Sequence, residues 1–188
     1  GDIRIQVNGA GQNIVLSRDL TASDRLELSA SGGSVTGSAT LSGNTVAIQA
    51  ATGIHDGLGG ALQLNTANVS ADNTGSANVN IDNAAGGAAT VTSFTTVGGD
   101  LRYNQSSVDG VATFTGPITS GDAGNSIDGG NIDLFSQNGL VIVAGVLLDS
   151  GGGAGGTLFL DGVEINTTPI LGAGNITIDG GGPDLILG

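Results

Sequence analysis

A five-residue phrase recurs along this chain: a glycine, then Asn or Asp, then an apolar residue, any residue, and a second large apolar or aromatic one. GDIRIQVNG opens the sequence at Gly1, GGDLRYNQS begins at Gly98, GGNIDLFSQNG fills residues 129–139, and GAGNITIDGGG begins at Gly172. Apolar residues one position apart, such as Ile3 and Ile5, Leu26 and Leu28, Val46 and Ile48, or Leu101 and Tyr103, alternate as on a strand with one face in and one face out. No 3.6-residue apolar stripe survives ten residues, because Gly, Asn, Ser and Thr interrupt every candidate window. The chain reads as all-β.

Spacing narrows the fold further. The first apolar residue of each pair falls at Ile3, Leu26, Val46, Leu62, Val79, Leu101, Ile132, Leu158 and Ile176, in steps averaging about 22 residues. A repeat of that length signals a solenoid, in which no unit buries its own apolar face and each stacks on the next. The expected fold is a right-handed parallel β-helix of about nine coils of roughly 20 residues, forming a single domain over residues 1–188. In each coil the glycine would turn the corner in a left-handed conformation, and the Asn or Asp would bond its own backbone. A β-sandwich competes, since short strands with Gly-rich turns suit it as well. Against it stand the few Asn-Gly hairpin signals, the repetition of the phrase in one orientation, and the scarcity of aromatics to fill a gap about 10 Å wide.

The composition limits partners. Seventeen carboxylates face four arginines, Arg4, Arg18, Arg25 and Arg102, for a net charge of −13. A phosphate backbone or an anionic membrane surface would be repelled, so nucleic acid is not an expected partner. The longest apolar run, LVIVAGVLL at 140–148, is too short to span a bilayer as a helix, so no direct membrane insertion is expected. With no cysteine there is no disulfide framework and no thiol chemistry. With four Phe and one Tyr, the core is expected to be thin and built from small side chains.

The G-[ND]-[IL]-x-[apolar] phrases at Gly1, Gly99, Gly130 and Gly174, with the Ala/Asn/Thr/Gly texture of LNTANVSADNTGSANVNIDNAAGG at 64–87, resemble the β-helical shafts of large bacterial surface and secreted proteins. The filamentous-haemagglutinin type and autotransporter passengers are the nearest types. The NPNL-like motif that the haemagglutinin family carries in its secretion domain is absent. The resemblance therefore implies shaft rather than secretion domain, with a role in adhesion, fibre formation or surface structure outside the cell.

Catalytic chemistry finds little purchase. His55, the only histidine, stands in GIHDGLGG without the partners that a triad or metal site needs, and reads as an exposed loop residue. A polysaccharide-degrading β-helix enzyme is a remote alternative. Paired carboxylates such as Asp128 with Asp133, or Asp82 with Asp100, could serve a hydrolase, yet any acidic solenoid offers such pairs by chance. GGGAGG at 151–156 contains GxGxxG but precedes a strand, TLFLDGVEI, so it is a corner and not a dinucleotide fingerprint. No catalytic residue and no organic cofactor are expected. Calcium is the one ion the sequence suggests, through Asp122, Asp128 and Asp133 in GDAGNSIDGGNID and through Asp184 in DGGGPDLIL, a partial match to the calcium-binding nonapeptide. The cluster TVTSFTT at 90–96 is not repeated from coil to coil, which argues against a threonine array for ice.

The two ends share a pattern and neither reads as a polar cap. Ile3, Ile5, Ile14 and Leu16 at one end, and Ile176, Ile178, Leu185 and Leu187 at the other, are the expected self-association residues. The expected function is that of an extracellular structural protein, a shaft or filament subunit joined head to tail, in a fragment or repeat unit of a longer or polymeric fibre. The alternative is an adhesin module that binds a glycan or cell-surface receptor, with Tyr103 and the 31-residue step from Leu101 to Ile132 as its flank.

Overall fold

The computed structural model describes residues 1–121, 129–136, 138–143 and 146–149, together with the backbone of strands at 158–161, 170–171 and 176–179. The first coil consists of β1 (Ile3–Val7), β2 (Ile14–Leu16) and β3 (Leu20–Thr21). Above it lie β4 (Arg25–Ala30), β5 (Val35–Gly37), β6 (Thr40–Ala50), β7 (Ile54–His55), β8 (Leu62–Asn73), β9 (Val79–Asn83), β10 (Ala88–Thr95), β11 (Leu101–Gln105), β12 (Val111–Phe114) and β13 (Ile118–Thr119). The series continues through β14 (Ile132–Ser136), β15 (Gly139–Ile142), β16 (Leu148–Asp149), β17 (Leu158–Asp161), β18 (Ile170–Leu171) and β19 (Ile176–Asp179). Among the described residues there is no helix, and the ladders between coils are parallel. That removes the sandwich, whose neighbouring strands would run antiparallel. The fold is a parallel β-solenoid.

The register shows how alternation becomes a core. Ile3, Leu26, Val46, Val69, Val91 and Phe114 form one inward column, one residue per coil. Ile5, Leu28, Ile48, Ala71, Phe94 and Ile118 form the next. A third, Ile14, Val35, Ile54, Val79, Leu101 and Ile132, runs up a second flank. Side chains in each column stack at the strand spacing, about 4.8 Å, so each coil covers the apolar face of the one below.

The chain makes about five turns rather than nine. Successive members of the first column lie 23, 20, 23, 22 and 23 residues apart, so five turns run without interruption from Ile3 to Phe114. The expected series counted too many because it changed flank partway. Leu62 does not stack on Val46; it pairs with Ile81 on another ladder, so the short steps around Leu62 lie inside a turn.

The recurring phrase has a different basis from the one expected. At Gly99 and Gly130 the backbone is not left-handed, and the left-handed residue at that corner is Gly98, φ 93°. A Cβ on Gly99 would fall on the carbonyl of Ala77, and one on Gly130 on the carbonyl of Gly99, with Asp100 N only 2.6 Å away. At these two corners glycine is required because stacked backbones touch, whereas a Cβ on Gly1 would meet nothing. The Asp that follows the glycine bonds the next coil: Asp2 Oδ1 accepts from Arg25 N (3.2 Å) and Asp100 Oδ1 from Asn131 N (2.8 Å), as does Asn78 Oδ1, after Ala77, from Asp100 N (2.9 Å). The phrases at Gly1 and Gly99 thereby each satisfy a corner amide that the sheet ladders leave open.

Two inner columns turn polar partway up. Leu20, Leu41 and Leu64 give way to Asn83, Gln105 and Ser136. Val7, Ala30 and Ala50 give way to Asn73, whose Nδ2 donates to Thr96 Oγ1 at 3.1 Å. These buried groups are bonded, as burial demands. At the same level Phe94, Tyr103 and Phe114 meet edge-to-face, with centroids 5.4–6.5 Å apart. The core is thus not uniformly small-chained, because aromatics from different ladders converge on one coil.

Candidate functional site

Two features stand out from the regular stack. The first is the open face of the first coil. β1, β2 and β3 each pair with the coil above, through β4, β5 and β6, and among the described residues none has a partner below. Ile3, Ile5, Val7 and Leu20 are only half-buried, whereas their column partners Leu26, Leu28, Ala30 and Leu41 are fully so. Ile5, Ile14, Leu16 and Leu20 line an opening of about 280 Å³, with Val15 and Arg18 at its rim. Arg4 and Arg25 both reach Glu27, at 3.2 and 3.4 Å, while Arg18 has no carboxylate partner among the described residues.

The expected self-association residues therefore divide. Ile3 and Ile5 stand half-buried on β1, and Ile14 and Leu16 buried on β2, all in the first coil. Ile176 and Ile178 lie on β19, which continues the ladder of β17, but their side chains, like Leu185 and Leu187 altogether, fall outside the described residues.

The second feature is a groove of about 460 Å³ on the flank built by β7, β9 and β11, lined by His55, Asn78, Asn80, Asp100 and Arg102 over Ala77 and Val79. Register assembles it: Val79 pairs with Ile54, and Asn80 with Arg102, so His55, Asn80 and Arg102 follow one another up the outer face. His55 is not the exposed loop residue expected from the sequence. It is half-buried on β7, and its Nδ1 accepts the N–H of Gly57 at 2.9 Å, which places the proton on Nε2. Asn80 Nδ2 donates to Gly59 O (3.2 Å), and Arg102 Nε meets Asp133 Oδ2 (3.4 Å).

Tyr103 is not on a recognition flank. It points inward in the column of Leu62, Ile81 and Leu134 and is fully buried. Its hydroxyl donates to Gln105 Oε1 (2.7 Å) and accepts from Asn83 Nδ2 (3.2 Å). Burial pushes the phenol well above its ordinary range; the Asn83 hydrogen bond lowers it in part and the Asp82 charge raises it further. Within the 31-residue step beside it, β12 and β13 join the ladders of the stack, and residues 122–128 lie outside the described residues.

Of the expected calcium ligands, Asp122, Asp128 and Asp184 lie outside the described residues. Asp133 is on β14, engaged with Arg102. Among the described residues no group of three potential ligands converges. Of the paired carboxylates, Asp82 stacks on Asn104, while Asp100 stands at the β11 corner in contact with Asn78 and Asn131. Compared with known proteins, the chain matches no protein-family model, no curated protein and no solved structure.

Proposed function

We propose that the chain is a structural β-solenoid, a shaft or filament unit that extends by end-to-end stacking of a further coil on its first one, in a protein of the cell surface or extracellular space. The observation that carries this reading is that, among the described residues, β1, β2 and β3 are paired on one edge only, around an apolar opening. Free strand edges and an uncovered core are features that native proteins normally suppress with charge, proline or a covering element. Here the inward positions at that edge are Ile3, Ile5, Val7, Ile14 and Leu16.

Charge favours the same use. Arg18 of this coil has no carboxylate partner among the described residues, so it is placed to pair with an acidic group of a joining coil. The likeness of the Gly-[Asn/Asp] phrases to filamentous-haemagglutinin and autotransporter shafts supports placement outside the cell. Electron microscopy of the 188-residue chain over a concentration series tests the reading. End-joined filaments are expected, growing longer with concentration; single short rods at every concentration would overturn it.

A further inference from the structure

We infer that the groove over β7, β9 and β11 is a binding site for a neutral saccharide. This inference is independent of the end-to-end reading, because the groove lies on a flank and not at the open coil. Its volume, about 460 Å³, is that of an ordinary small-molecule site. What distinguishes it is the hydrogen-bonding capacity left over once the solenoid's own bonds are made. Asn78 Oδ1 and one Asp100 oxygen are engaged by corner amides, leaving the Asn78 NH₂ and the second Asp100 oxygen. Asn80 keeps Oδ1, His55 keeps its Nε2–H, and Arg102, held only through Nε, keeps its terminal nitrogens. Donors and acceptors thus alternate around one opening.

The alternation selects the ligand. A hydroxyl both donates and accepts, so neighbouring ring hydroxyls match a guanidinium or imidazole N–H beside a carboxylate or amide oxygen. An anion would meet Asp100 and Asp133 within a field of net charge −13. A cation would meet Arg102 and no converging set of three ligands among the described residues. An apolar ligand would find only Ala77 and Val79. The polar groups are also held in place. They rise from parallel strands, and the adjoining loop is clamped by Asp56 Oδ1, which accepts from Leu58 N and Gly60 N at 2.7 Å each.

The test is a printed array of neutral and of uronate- or sulfate-bearing glycans probed with the 188-residue chain, followed by calorimetry with the strongest neutral glycan. Arg102→Ala and Asn80→Ala are each expected to weaken binding by about tenfold. Thr113→Ala, on a different ladder, is expected to leave it unchanged, and all three variants to keep the wild-type thermal transition. Binding to acidic glycans alone, to no glycan, or with affinity indifferent to both groove substitutions would overturn the inference.

Discussion

Tyr103 is the only side chain here whose ordinary titration range lies between about pH 9 and 12, since the chain has one tyrosine, no lysine and no cysteine. Burial is the main cause of its raised pKa, with the Asp82 charge adding to it and the Asn83 hydrogen bond partly offsetting both. The folded phenol therefore keeps its proton after an unfolded chain, titrating near pH 10, has lost its own. In that window the folded state binds more protons, so this contribution to stability is intact below about pH 10 and falls away as pH rises above it. An ultraviolet titration should show no tyrosinate while the β-sheet circular dichroism persists, the two signals then changing together. Tyr103→Phe should remove the alkaline loss, although it leaves Asn83 and Gln105 each short of a partner. Tyrosinate appearing near pH 10 with the sheet intact would mean the ring is not inside. The alternation of Leu101 with Tyr103 already placed both on one face of a strand; what it could not supply was the partner pair Asn83 and Gln105, some 20 residues below and 2 above, that lets a hydroxyl sit in the core.

At the scale of the coil, the contact that matters most is the corner stack of Ala77, Gly99 and Gly130. A methyl group on Gly130 would press on backbone atoms of Gly99 and Asp100, and no side chain can swing away to relieve it. Gly130→Ala should cost about 1–3 kcal/mol, the usual range for forced overpacking. Gly86→Ala, where the new methyl would come no closer than 4.0 Å to Ser107 Oγ, should be neutral or slightly stabilising. Urea denaturation of the two variants decides the matter: equal effects would mean that close approach is not why the phrase begins with glycine. The fold class was legible because period-two alternation and the corner phrase are local. Which flank each apolar pair belongs to was not, because the turns between Val46 and Val79 place two pairs on one ladder and the next on another. The groove was hidden for the same reason. His55, Asn80 and Arg102 are separated by 25 and 22 residues, and only the register makes them neighbours.

At the scale of the whole molecule, a solenoid with an open coil should tolerate a buried-face charge only at its edge. Ile5 and Leu28 occupy the same inward column in adjacent coils, yet Ile5 is half-buried and Leu28 fully buried. A lysine at position 28 would sit inside the core with no counter-ion and should unfold the chain. A lysine at position 5 can run its stem along Ile14 and Leu20 and release its ammonium through the opening, at a cost of about 1–2 kcal/mol. If coils join there, that same ammonium lies in the joint, where an inward-pointing charge blocks strand addition. Ile5→Lys should therefore keep a cooperative thermal transition and abolish the filaments of the unsubstituted chain, whereas Leu28→Lys should lose both. Filaments undiminished by Ile5→Lys would move the joint elsewhere. Unfolding by Ile5→Lys as complete as by Leu28→Lys would mean that the first coil is covered, and the end-to-end reading would fall with it.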